Sequence, residues 1–163
     1  MTRLLLRIWK ILCRVPGLQT LMLHMVNARF IVGASAVIMD GEGRVLLFHH
    51  TYRPKHAWGL PGGFLKRGEN APITLTREVA EESGMAIDVD APLAIETSRR
   101  GAMIETIYLA RFVGGEFRAS PEVDRCEWFT KDLPEDLKPL QRRVVEEARR
   151  LREEDRLPPR NHA

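Results

Sequence analysis

Glu78, Glu81 and Glu82 recur at i, i+3 and i+4. On a helix they fall within an arc of roughly 100°, close enough to repel one another. Only Arg77 stands beside them. A divalent cation explains such a cluster, because hard carboxylate oxygens suit Mg²⁺, or Mn²⁺ in its place, and these ions bridge carboxylates to phosphates. Taken alone, the three residues fit a solvated Glu-rich helix face at least as well.

The elements around them are legible. A helix is expected from Ala71 to Ser83 with Gly84 as its C-cap, and with Ile73, Thr76, Val79 and Ala80 facing a core. Before it, Phe30–Met39 and Arg44–His49 read as a hairpin around Asp40-Gly41-Glu42-Gly43. The polar loop His50–His56 then leads to Trp58-Gly59-Leu60-Pro61-Gly62-Gly63, where Trp58 and Phe64 are expected to pack. After it, strands are expected over Ile87–Thr97, Ile104–Val113 and Cys126–Phe129. A last helix from Lys138 to Asp155 places Leu140, Val144, Ala148 and Leu151 on one face. The front end reads as two short helices broken at Val15-Pro16-Gly17, and residues 157–163 as a disordered tail. The expected organisation is an amphipathic helical extension over 1–29 and one folded domain over 30–156.

The 163 residues, 44% of them hydrophobic and 29% charged, suit a single core. Cys13 and Cys126 provide neither a disulfide framework nor a thiolate zinc site, so a cytoplasmic location is the default. The net charge is +3, yet residues 1–39 carry five basic residues and no acid, which leaves a net −2 on the remainder. That distribution argues against stable nucleic-acid binding. Charges and Pro16 interrupt the front end too often for a membrane span, and no leader peptide is expected.

The spacing from Gly63 to Met85 resembles the Nudix box, G-x5-E-x7-R-E-U-x-E-E-x-G-U, with U a bulky aliphatic. Gly63, Glu69, Arg77, Glu78, Glu81, Glu82 and Gly84 occupy every fixed position, and Val79 the first U. Met85 at the final U departs mildly from the pattern. Leu60-Pro61-Gly62-Gly63 and Glu127-Trp128-Phe129 extend the resemblance over most of the chain. It implies the Nudix α/β/α sandwich, an α+β fold with a mixed sheet. It also implies Mg²⁺-dependent hydrolysis of a diphosphate linkage, typically a nucleoside diphosphate joined to another group.

On that resemblance Glu78 and Glu82 are the direct metal ligands and Glu81 a further or water-bridged one. The Gly62 carbonyl joins them, and Arg77 orients the glutamates. Glu69 sits either in an outer metal shell or as a structural residue at the helix start. A general base comes from the box or from a distant loop, for which Glu122 in Ser120–Asp124 is the candidate. Arg53, Lys55 and His56 before the box, and Arg99 and Arg100 at a later hairpin turn, are candidates to hold phosphates. His49, His50 and His56 are not expected to bind zinc beside carboxylate chemistry.

The substrate is left open. Glu96–Gly101 lacks both the proline associated with ADP-ribose hydrolases and the tyrosine associated with dinucleoside polyphosphate hydrolases. Two other readings stand beside the hydrolase of a small phosphorylated nucleotide derivative. One is a nucleotide-sensing domain that does not cleave. The other is a hydrolase of lipid or isoprenoid diphosphates that touches a membrane surface through the basic stripe of residues 3–15. Many relatives dimerise, so a homodimer is a further expectation.

Overall fold

Alternation along one strand builds the centre of the sheet. In β1 (Ile31–Met39), Ala34, Ala36 and Ile38 face one side, while Val37 and Met39 face the other, all buried. The computed structural model describes residues 30–97 and 102–153, together with Arg7, Lys10, Arg14, Gly17, Leu18, Leu21 and Met25. The chain divides into two compact units, Met1–Phe30 and Ile31–Ala163. In the first, Arg7, Lys10, Leu18, Leu21 and Met25 are helical and Gly17 turns at φ 81°. The rest of the expected amphipathic extension, the tail from 157 onward, and Arg99 and Arg100 lie outside the described residues.

The second unit holds β2 (Val45–His50), β3 (Trp58–Gly59), β4 (Gly62–Phe64), α1 (Ala71–Ser83), β5 (Ala86–Thr97), β6 (Met103–Gly114), β7 (Val123–Phe129) and α2 (Pro139–Glu153). The sheet runs β3-β2-β1-β6-β5, with β4 also on β1 and β7 also on β2. It is mixed: β1 and β6 are parallel from Ile31↔Met103 to Met39↔Arg111, and the other pairs are antiparallel. Along its free side β1 changes partner. Gly33–Ser35 pair with β4, and only Ile38 and Met39 reach β2. The sheet splays between those two pairings.

One helix covers each face. Leu75 and Val79 of α1 pack on Ala34, Ala36, Ile38, Leu46 and Phe48. Val144, Val145 and Ala148 of α2 pack on Val37, Met39, Val45, Leu47, Ile107 and Leu109. This is the expected α/β/α sandwich. Among the described residues no helix is long and apolar enough to cross a membrane.

Two packing expectations are corrected. The buried face of α1 is Ala71, Thr74, Leu75, Val79, Glu82 and Ser83, whereas Ile73, Thr76 and Ala80 are exposed. The glutamates therefore border the core instead of opposing it, because the sheet leaves an opening where Glu78 and Glu82 point. Phe64 is 57% exposed and does not pack in a core. Trp58 does pack, edge-on to Phe129 with ring centroids 5.4 Å apart.

Candidate active site

The segment before α1 is tied to the helix by one carboxylate. Glu69 accepts from the Lys66 amide at 3.1 Å, from the Thr74 hydroxyl at 2.9 Å, and from Arg77 Nε and Nη2 at 2.8 and 2.9 Å. Asn70 caps the helix by accepting from the Ile73 amide at 3.0 Å, and Gly84 closes it at φ 72°. The guanidinium of Arg77 also donates through Nη1 to Glu78 at 2.7 Å and to Glu81 at 3.0 Å. Its hydrogen bond with Glu69 holds that carboxyl down at about 2. Glu69 is thus fully engaged in structure.

Glycine makes the next step. A Cβ on Gly63 would sit 2.4 Å from the Glu78 carboxyl carbon, so only glycine lets Glu78 lie against β4. A Cβ on Gly62, at φ 153°, would stand 2.1 Å from the Ala34 carbonyl oxygen, so this residue too must be glycine for β4 to meet β1. Both glycines line a cleft of about 630 Å³ at the splay in the sheet.

Glu82 enters that cleft from α1. It is 6% exposed, and its Oε2 is buried without a hydrogen-bond partner among the described residues. Burial, reinforced by the charges of Glu78 and Glu122, pushes its carboxyl up to about 8. A buried acceptor with no donor beside two further carboxylates suits a hard divalent cation. The donors at hand are Glu78, Glu82 and Glu122, with Gly62 on the same wall. Among the described residues no three such side chains already stand at ligand spacing. Glu81, with a side chain 56% exposed, is bonded to Arg77 and is not on the cleft wall.

Glu122 comes from the loop before β7, about forty residues downstream of the box. Arg53 lines the same cleft and Lys55 is exposed outside it. Lys66 and Lys138 supply the other positive charges of the wall. Lys66 stands at an unspecified position of the box, and Lys138 is visible in sequence only as the first residue of an expected helix. Gln141, which accepts from the Leu60 amide at 3.3 Å, and Ser35, Tyr52 and Glu105 also escaped sequence reasoning. The histidines diverge. His49 pairs with Asp124 at 2.6 Å, His56 contacts the Asp136 carbonyl, and His50 is buried and held neutral, mainly by burial, at about 3.

The carboxylates of one helix, a glycine-permitted approach to β4 and a distant loop acid thus meet at one opening. The family model for the NUDIX domain matches residues 29–148. This chain belongs to the NUDIX family. The ADP-ribose pyrophosphatase of Methanocaldococcus jannaschii is 31% identical over 103 residues, which are 58% of this chain and 61% of that relative. The chain therefore spans somewhat less than two thirds of that curated relative. The MutT NUDIX hydrolase of Burkholderia pseudomallei superimposes with a TM-score of 0.61 at 29% identity, covering 72% of this chain and 97% of the other. A NUDIX hydrolase of Nitrosomonas europaea reaches a TM-score of 0.70 at 18% identity, covering 78% and 74%, and shares the fold. In this NUDIX domain the box supplies Glu78 and Glu82 to the cleft and uses Glu69, Arg77 and Glu81 to brace Glu78.

Proposed function

We propose that this chain hydrolyses the diphosphate linkage of a nucleoside diphosphate derivative, with Mg²⁺ held by Glu78, Glu82 and the Gly62 carbonyl. The observation that carries the reading is the buried, unpartnered Glu82 carboxylate beside Glu78 and Glu122 in a cleft also lined by Arg53, Lys66 and Lys138. Acids alone would repel a diphosphate, and bases alone would bind it without activating water. When bound, Mg²⁺ neutralises phosphate oxygens and acidifies water.

The protein's own groups do the rest. Arg53, Lys66 and Lys138 hold the phosphates against the charge of the acids. Arg77 keeps Glu78 oriented from outside the cleft, as a positioning residue, and Glu81 braces Arg77. Glu122 accepts the proton of the attacking water, from a loop independent of the helix. The likeness to an ADP-ribose pyrophosphatase supports the nucleoside diphosphate class and leaves the leaving group open.

Product analysis on a panel of nucleotide and non-nucleotide diphosphates, with and without Mg²⁺, tests this. Metal-dependent cleavage lost in Glu82→Gln is the expected result. Binding without turnover across the panel would reject hydrolysis in favour of sensing. Cleavage confined to lipid diphosphates would reject the nucleotide class.

A further inference from the structure

The cleft continues past the acids to a row of three residues that the proposed chemistry does not use. Gly33 of β1 pairs with Phe64 of β4 on one side and with Glu105 of β6 on the other. Direct partners in a sheet point to the same face, so the ring and the carboxylate stand in one row with Gly33 between them. Two strand spacings separate their backbones by roughly 10 Å. Gly33 puts no side chain in the gap, and a Cβ there would touch the Phe64 ring at 3.7 Å. The ring therefore lies directly against the bare backbone of Gly33.

The two walls differ in chemistry. Phe64 presents an aromatic ring to the cleft and is 57% exposed. Glu105 is half-buried, and its Oε1 accepts from the Ser35 hydroxyl at 2.8 Å, which fixes the carboxylate's direction. A carboxylate is a poor neighbour for phosphate, so its use at this end of the cleft is to accept hydrogen bonds from a different part of the ligand. Flat shape, a π face and edge donors together describe a nucleobase.

We infer that Gly33, Phe64 and Glu105 form a base-selecting slot, in which Phe64 packs on the ring and Glu105 accepts from donors on the base edge. Guanine suits it best, because its N1–H and N2 amino group are adjacent donors, whereas adenine sets an acceptor beside its amino group. The slot deepens the hydrolase reading, from which it takes the position of the phosphates. The paired row and the anchored carboxylate carry it independently of the phosphates.

Calorimetric binding of guanosine 5′-monophosphate, inosine 5′-monophosphate and ribose 5-phosphate in the presence of Mg²⁺ separates the two claims. Inosine lacks only the 2-amino donor. Wild type is expected to favour guanosine monophosphate by roughly 10-fold, and Glu105→Gln to lose that preference. Phe64→Ala should weaken both nucleotides roughly 10-fold and leave ribose 5-phosphate unchanged. Gly33→Val, whose backbone is not in the left-handed region, crowds the Phe64 ring and should act like Phe64→Ala. Equal binding of the two nucleotides, no nucleotide binding, or a preference that survives Glu105→Gln overturns the slot. Diphosphate cleavage without base preference rejects the slot alone, and base preference without cleavage rejects the hydrolase alone.

Discussion

Thr51 pins the loop that carries Glu122: its amide donates to the Glu122 carbonyl at 2.9 Å and its hydroxyl to the Pro121 carbonyl at 2.6 Å. Ser120 braces the same loop, accepting from the Val123 amide through its hydroxyl at 3.1 Å. An acid on a loop can serve a cleft only if the loop has one conformation. Thr51→Val removes the hydroxyl and keeps the shape. It should lower kcat about 10-fold with KM nearly unchanged, and Thr51→Ser should restore it. The loss should vanish in a Glu122→Gln background; if it persists there, Thr51 acts through something other than Glu122.

Gly59 makes room for Arg53. A Cβ at Gly59 would stand 2.6 Å from Arg53 Nη1, which is buried and unpartnered among the described residues. The obstructed atom ends a flexible side chain, so Gly59→Ala should leave the melting temperature nearly unchanged and push the guanidinium aside. Loss of one charged hydrogen bond to phosphate, about 1.5 kcal/mol, predicts a rise in KM of roughly 10-fold. Unchanged steady-state kinetics would remove Arg53 from substrate binding.

Glu82 links the site to stability. Its carboxyl titrates at about 8 when folded against 4.5 in its ordinary state, chiefly because it is buried. The folded state holds the proton more tightly, so this contribution is fully present below pH 4.5 and is lost as pH rises through about 8. In EDTA the urea midpoint of wild type should therefore fall between pH 5 and pH 8, and that of Glu82→Gln should fall less. Added Mg²⁺ should raise the wild-type midpoint at pH 8 and leave the variant's in place. Activity of the variant should drop by at least about 100-fold.

Glu69 predicts the opposite slope in acid. The hydrogen bond from Arg77 holds its carboxyl at about 2. This contribution is present above pH 4.5 and is lost as pH falls through about 2. Lysine cannot reproduce the fork that reaches Glu69 through Nε and Nη2 while Nη1 holds Glu78 and Glu81. Arg77→Lys should thus begin acid unfolding at a higher pH, followed by circular dichroism, and lower kcat at neutral pH. A wild-type acid profile in the variant would count against the brace.

Much of this was written in one segment. The bounds Ala71–Ser83, the cap at Gly84, the hairpin at Asp40–Gly43 and the two long strands follow from local signals, namely period, capping and turn chemistry. The box spacing named the family because its residues lie on one helix and the turn before it. Local spacing also fixes that Arg77 can reach both Glu78 and Glu81. The direction of the helix could not be read so. Apolar Ile73 and Ala80 suggested a core face, but the sheet buries the side that carries Glu78 and Glu82, and a helical wheel does not say where a sheet splays. Lys138 and Glu105 carry no motif, and Lys66 fills a position the box leaves unspecified. Register decides their meeting: Gly33 draws Phe64 and Glu105 into one row from positions 41 residues apart in the chain. Periodicity is a property of neighbours in sequence, and the cleft is made by strand pairings between residues that are not.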